Sequence, residues 1–470
     1  MSSPRAPDTN SPRTGWLPQV KDTVQRAIRA RFARDVAALQ VSNSAQKVLA
    51  VVFWVVLVRL LSPEEYGQYV LVLAFFGTIN LLGYLSLGPS LVTRLAEAAA
   101  AHDPDELRRI MGYLIKINAA WALPATALTW LVAVPLSVWW YRGEPLYGEL
   151  VKILALGAPL AVLTLAMTTA LQSVSRMHSI ALVEVCAKTT QTLLGVGAML
   201  TGLGVSGLVG ATVISQAVGC AIGLLAYQRV LHRHHAFASL PAVVATAITV
   251  PWRAYFRFSA LALVDKNIAA LFERTPVLLL GRFMPPEQAA FYDAARKVLS
   301  FLAVFHGAVA RKLRAALGER KGQAGLSAAR SVFWRVTLLW TPLALVLAAV
   351  LVLCLPLFRL ALKPEVFPSL TLVIIFALHT GLMALGVGFG SVFLLTDRIG
   401  LNIAIKTPIN LACLPLGALL VMQWGAEGAA LYMLAAYSVG YVAYLSLLAS
   451  NWFWETSARP PAAANQPVSV

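Results

Sequence analysis

Charge is scarce in this chain. Only 13% of its 470 residues are Asp, Glu, Lys or Arg, while 59% are hydrophobic. Soluble domains carry about 25% charged residues, so an ordinary soluble enzyme is excluded. Cysteine is scarce too. Cys186, Cys220, Cys354 and Cys413 stand singly in apolar runs, which reads as packed free thiols rather than disulfides or a metal site. There is no phosphate-cradling G-x-x-x-x-G-K-[ST] loop, no H-E-x-x-H, and no stretch outside the apolar runs long enough for a nucleotide-hydrolysing domain. An ATP-driven pump within this chain is therefore not expected. Acids are outnumbered by bases, 21 to 38, giving a net charge of +17. No base-reading motif or aromatic-basic platform accompanies that charge, so nucleic acid is not an expected partner.

What the chain does have is apolar length. Mean hydropathy is +0.72, and apolar runs of 18 or more residues recur between about 44 and 453, too long for buried core helices. The ten-residue alternating segments of a membrane barrel are missing. The expected fold class is an all-α polytopic membrane protein of about 12 transmembrane helices in two six-helix repeats.

The repeat is visible in the polar breaks. Arg59 to Tyr69 reads R-L-L-S-P-E-E-Y-G-Q-Y and returns as R-F-M-P-P-E-Q-A-A-F-Y from Arg282 to Tyr292, an offset of 223 residues. Arg176 matches Arg398, and Gly204 and Gly207 match Gly425 and Gly428, at nearly the same offset. Three matches in order argue for a duplicated membrane unit. Ser62-Pro63-Glu64-Glu65 and Pro285-Pro286-Glu287 read as helix starts, with proline and acids in the first turn.

Spans are expected at about 40–61, 66–93, 113–140, 149–174, 178–202, 207–230, 254–281, 286–310, 331–357, 367–396, 400–423 and 427–454. The chain then divides into a basic N-terminal leader (1–39), an N-terminal lobe (40–230), an inter-lobe linker (231–253), a C-terminal lobe (254–455) and a disordered tail (456–470). Within the leader, Val20, Val24, Ile28 and Phe32 recur every four residues among arginines, a pattern suited to an interfacial helix on anionic lipid or to a solvated basic segment. A signal peptide is not expected. If the N-terminus is cytoplasmic, the inner side holds 26 Lys/Arg and the outer side 6. The positive-inside rule thus puts both termini in the cytoplasm. Six spans per repeat give both halves one orientation, with a cleft between two bundles.

Charge inside a span is costly and marks a pathway or a pair. The basic candidates for a cationic, substrate-binding cavity are Lys406, Arg274, Lys188, Lys266, Arg296 and Lys297, with Lys47 and Lys116 near the inner ends of their spans as possible extensions or snorkelling residues. The acids Glu184, Asp265, Glu273 and Asp293 are candidates for coupling or ion pairing. Lys188 follows Glu184 by four residues, the favourable order for a helical pair, whereas Lys406 has no acid nearby in sequence. An internal ion-pair network and a polar cavity with spare positive charge for a phosphate-bearing substrate are both open at this point. His306 and His379 fall within spans, where either could titrate or simply pack. His232, His234 and His235 read as solvated basic surface, and Asp103-Pro104-Asp105 as a helix N-cap rather than a D-x-D sugar-nucleotide motif.

The run V-R-L-L-S-P-E-E-Y-G-Q-Y-V-L, followed by L-S-L-G-P-S-L-V-T-R-L-A-E, resembles the start of polysaccharide-biosynthesis flippases. L-Q-S-V-S-R-M-H-S-I-A-L-V-E-V, L-L-L-G-R-F-M-P-P-E-Q-A-A-F-Y-D-A-A and W-G-A-E-G-A-A-L-Y are similar to later segments of the same family. The resemblance extends over about 40 to 455. It implies a multidrug/oligosaccharidyl-lipid/polysaccharide exporter with two MATE-like lobes, not an enzyme. The substrate implied is a polyprenyl-pyrophosphate-linked oligosaccharide, moved from the inner to the outer leaflet of a bacterial inner membrane. No cofactor is implied beyond H⁺ or Na⁺ as coupling ion. The implied partners are the lipid-linked substrate, membrane lipids, a polysaccharide polymerase and other assembly proteins. Two family features are absent: Gly83-Tyr84-Leu85-Ser86 lacks an acid before G-L-G, and Ala308-Val309-Ala310-Arg311 lacks a proline. Two alternatives share parts of the pattern: a cation-coupled drug or metabolite exporter, and a membrane glycan ligase or polymerase.

Overall fold

The computed structural model describes residues 44, 46–80, 91, 94, 95, 97–99, 101, 103–174, 176–233, 238–251, 256–360, 362–396 and 398–455. The leader and its interfacial helix, the end of the second expected span and the C-terminal tail lie outside them. The first lobe runs α1 (46–60), α2 (Pro63–Ile79), α3 (Pro104–Trp140), α4 (Leu146–Ala155) with α5 (Gly157–Ser173), α6 (Met177–Leu200) and α7 (Gly204–Arg233). After α8 (Leu240–Thr249) the second lobe runs α9 (Phe256–Phe283), α10 (Pro286–Leu299), α11 (Phe301–Leu353), α12 (Leu370–Leu385) with α13 (Phe389–Leu395), and α14 (Ile399–Ala449). Among the described residues six helices are long and apolar enough to cross a membrane by length and composition.

The ends of these helices follow from the polar breaks. Ser62 caps α2 through its side chain, and Glu65 returns a bond to the Ser62 amide, closing a capping box. Pro285 opens α10 without a side-chain cap. Asp103 caps α3, accepting from the Asp105 and Glu106 amides, which settles Asp103-Pro104-Asp105 as a helix start. Two long helices are interrupted internally: α11 at Ala324 and Gly325, and α14 at Gly425. Gly425 has φ +55° and Gly204, its repeat partner, has φ +52°. Both repeats therefore make the same left-handed turn before their last helix, a turn open to glycine at little cost. The inter-lobe segment is more than a linker, because α8 packs against α3.

Core packing gives the molecule its shape. One large buried cluster joins both lobes, drawing on Leu57, Tyr66 and Leu71 from the first and on Leu280, Tyr292 and Ala429 from the second. Away from it each lobe has a core of its own, around Leu107, Leu114 and Tyr227 in one and around Phe333, Phe393 and Phe453 in the other. The lobes share this joint core on the side that carries the Ser62 and Pro285 turns, here the turn side, while toward the opposite side each packs around its own core. Side chains such as Leu131 (75% exposed), Leu339 (74%) and Leu353 (79%) cover the exterior, an apolar surface suited to lipid rather than water.

Candidate functional site

The lobes touch most closely where α2 meets α10. A side chain on Gly67 would run into the Pro286 carbonyl, so the absent Cβ lets these backbones approach, as small residues do between membrane helices. Beside Gly67, the Tyr66 hydroxyl donates to Asp293 across the lobe boundary at 2.5 Å. Trp54 Nε1 donates to the same hydroxyl at 3.0 Å. Asp293 is buried and holds two bases from its own helix, Lys297 at 2.9 Å and Arg296 at 3.2 Å. Lys297 also reaches the Tyr66 hydroxyl at 3.2 Å. Arg296 turns its other face to Glu273 at 3.4 Å.

Glu273, Asp293, Arg296 and Lys297 line a cavity of about 310 Å³ at the lobe junction, together with Tyr69, Leu73 and Arg274. Arg274 lies flat against α2 and donates to the Gly77 carbonyl at 2.7 Å; a Cβ on Gly77 would collide with its guanidinium. The wall thus carries three bases against two acids. Glu273, Arg296 and Lys297 also bound a second space of about 300 Å³, lined by His306, His379, Thr380 and Tyr437. A third space of about 200 Å³ sits deeper in the second lobe and shares Tyr437.

The remaining candidates divide. Lys406 is not spare: its ammonium is 2.5 Å from the Asp265 carboxylate and 3.0 Å from the Asp265 carbonyl. Asn402 donates to the same carboxylate and accepts from Tyr444. Lys188 does not pair with Glu184. It donates to Gln191 at 2.8 Å and lies over the Phe53 ring, while Glu184 accepts from Gln46 at 2.8 Å. Lys116 donates to the Ile248 and Val250 carbonyls at 3.0 and 2.7 Å, holding the end of α8 rather than lining a cavity or snorkelling. Lys47 and Lys266 are exposed. Of the twelve charged candidates, the structure brings Glu273, Arg274, Asp293, Arg296 and Lys297 together at the junction; Lys406 lines the third space and is paired with Asp265. Tyr66, Trp54 and the tyrosines of α14 carry no charge and lie within the expected spans, so the sequence does not single them out as charge does. Tyr437, Tyr441 and Tyr444 stand at i, i+4 and i+7, one helical face, and that stripe was readable.

On the turn side the two lobes grip one another through basic residues. Arg282 donates to the Trp139 and Trp140 carbonyls at 2.7 and 3.0 Å. Its repeat partner Arg59 donates to the Leu360 carbonyl. Arg142 donates to the Arg282 and Phe283 carbonyls, and Lys363, at the equivalent place in the second repeat, to the Leu61 carbonyl at 3.3 Å. Each lobe therefore caps helix-end carbonyls of the other.

A helical membrane protein built of two repeated lobes, with a polar cavity between them, has the form of a transporter rather than an enzyme. The chain belongs to the polysaccharide biosynthesis protein family, whose sequence profile matches residues 32–311. Its fold is shared by an inward-facing multidrug resistance MATE family transporter of the MOP superfamily (TM-score 0.59, 16% identity, 89% of this chain and 96% of that one). It is shared also by the lipid II flippase MurJ in an inward closed conformation (TM-score 0.60, 11% identity, 88% and 87%). A third neighbour is a MOP superfamily transporter from Pyrococcus furiosus described as having a binding pocket of reversed polarity (TM-score 0.54, 14% identity, 89% and 95%). A comparison with curated protein sequences gives no match.

Proposed function

We propose that this protein is a flippase that carries polyprenyl-pyrophosphate-linked oligosaccharide from the cytoplasmic to the periplasmic leaflet for O-antigen, capsule or exopolysaccharide assembly. The observation that carries the reading is the junction cavity, where Arg274, Arg296 and Lys297 outnumber Glu273 and Asp293. Arginine and lysine grip phosphate oxygens through charge-assisted hydrogen bonds. The cavity lies between lobes whose exterior is apolar, so a prenyl tail can stay in the bilayer while the headgroup enters. The balance of Lys and Arg favours both termini on the cytoplasmic side, and membership of the polysaccharide biosynthesis family suits a bacterial inner membrane. The turn side then faces the periplasm, and the separated cores face the cytoplasm. Movement needs a substrate that stabilises one lobe arrangement over the other, with no covalent step.

The test is export of surface glycan in a strain lacking the chromosomal copy. Arg274→Ala and Arg296→Ala should each reduce export at least tenfold while protein remains in the membrane, since a hydrogen bond to a charged group contributes about 1.5–3 kcal/mol. Lipid-linked repeat units should accumulate inside. Normal glycan in both variants removes the assignment.

A further inference from the structure

We propose that the third space, enclosed by α9, α13 and α14, is a saccharide subsite that takes a sugar unit of the lipid-linked substrate. The proposal rests on the flippase reading and adds to it where the sugar goes. Its wall is aromatic: Phe389 stands 5.1 Å from Tyr441 and 5.2 Å from Tyr444, and Tyr437 stands 5.7 Å from Tyr441, ring centre to ring centre. Asn402 and Asn410 line the same space. The Asn402 amide is engaged by Asp265 and Tyr444, while Asn410 donates one N–H to the Lys406 carbonyl and keeps its second N–H and its Oδ1 for a ligand. The hydroxyls of Tyr437 and Tyr441 make no hydrogen bond among the described residues. A pyranose has a C–H face and a rim of hydroxyls. Aromatic rings suit the first, while amides and phenolic hydroxyls suit the second. Room for it comes partly from glycine, because a side chain on Gly440 would meet nothing within 4 Å.

Charge separates this ligand from the other molecules an aromatic pocket admits. An organic cation needs a free carboxylate, but Asp265 is held by Lys406 and Asn402, and Glu273, which bounds the adjoining space beside Tyr437, is held by Arg296. A bare anion needs a free base, and Lys406 is held by Asp265. What remains is a neutral lining with directional polar groups. The order of the cavities agrees with a linear headgroup. The cation-rich cavity shares Glu273, Arg296 and Lys297 with the middle space, which shares Tyr437 with the aromatic one. Pyrophosphate at the junction leaves the attached sugars pointing toward the tyrosines.

Binding to the full-length protein in lipid nanodiscs tests this. The probes are polyprenyl pyrophosphate, the same lipid bearing glucose, galactose or N-acetylglucosamine, and tetraphenylphosphonium. At least one sugar-bearing lipid should bind more tightly than the bare lipid. Tyr441→Leu should erase that increment, a loss of about tenfold, and leave the bare lipid unaffected. Gly440→Leu fills the pocket from an unobstructed position and should do the same, so the test survives if Tyr441→Leu misfolds. The subsite is overturned if no sugar improves binding, if the variants weaken bare and sugar-bearing lipid alike, or if they abolish tetraphenylphosphonium binding instead. Arg296→Gln is a separate arm that should weaken every lipid. Unchanged binding there would remove the pyrophosphate assignment, and the sugar increment would still be read from the other variants.

Discussion

Asp293 joins the two roles of the junction. Its carboxylate pairs with both Arg296 and Lys297, and it is also the acceptor for Tyr66 of the other lobe. Under the proposed function, a phosphate arriving at those bases would compete with Asp293 for them, so anion occupancy and the cross-lobe bond would draw on the same groups. Tyr66→Phe removes the cross-lobe hydroxyl and keeps the ring. We expect a stability loss of about 1–3 kcal/mol, the cost of leaving a buried polar group short of a partner, read as a lower melting temperature in detergent. A second expectation concerns Lys406. Lys406→Met should destabilise by roughly 1–2 kcal/mol because Asp265 is left half-buried without its cation, and adding Asp265→Asn should recover most of that loss. A double-mutant cycle on thermal stability measures the coupling, and additive losses would show the pair to be independent. Sequence could not reveal this pair, since the partners lie 141 residues apart and on different helices. Glu184 and Lys188 have the right spacing for a pair, yet each finds a closer partner elsewhere. Spacing along a chain identifies which groups share a face. It does not say which neighbours the other helices supply.

Helices and turns were more legible than contacts. The positions of the polar breaks, the capping of α2 and α3 and the recurrence of the Gly204 turn at Gly425 all depend on residues within a few positions of one another, so local chemistry suffices to read them. The ten-residue α8 escaped notice because it is too short to register as a span and is held by Lys116 from α3, a tertiary contact. The duplicated turn offers a paired prediction. Gly204→Ala and Gly425→Ala each force an L-residue into left-handed backbone and should each cost about 1–2 kcal/mol, with a larger loss at Gly425, where a Cβ would also meet the Gln288 side chain at 2.5 Å. Losses at both sites by thermal melting support equivalence of the turns, whereas no loss at Gly204 shows that only the second turn is held rigidly. Gly67→Val probes a different constraint. Its φ is ordinary, but its side chain would push α2 from the Pro286 carbonyl, separating the lobes at their closest point.

At the scale of the molecule, the reciprocal grip of Arg59, Arg142, Arg282 and Lys363 bears on which side of the cleft is closed. All four are basic residues at helix ends, and all four donate to carbonyls of the opposite lobe. Carbonyls at a helix C-terminus lack intrahelical partners, so separating the lobes there exposes them and strands the bases. The proposed alternating access would require that this closure be reversible, and hydrogen bonds of about 0.5–1.5 kcal/mol each are strong enough to bias the equilibrium without fixing it. Removing the pair Arg59→Ala and Arg282→Ala should shift the population of turn-side-open molecules by roughly tenfold or more. Amide hydrogen exchange reads the shift: segments 59–65, 139–143 and 282–288 should lose protection together, while the separate lobe cores around Leu114 and Phe393 stay protected. Uniform loss across both lobes would mean that the arginines stabilise the fold as a whole. Unchanged exchange would mean that the Gly67–Pro286 contact and the joint core close the turn side without them.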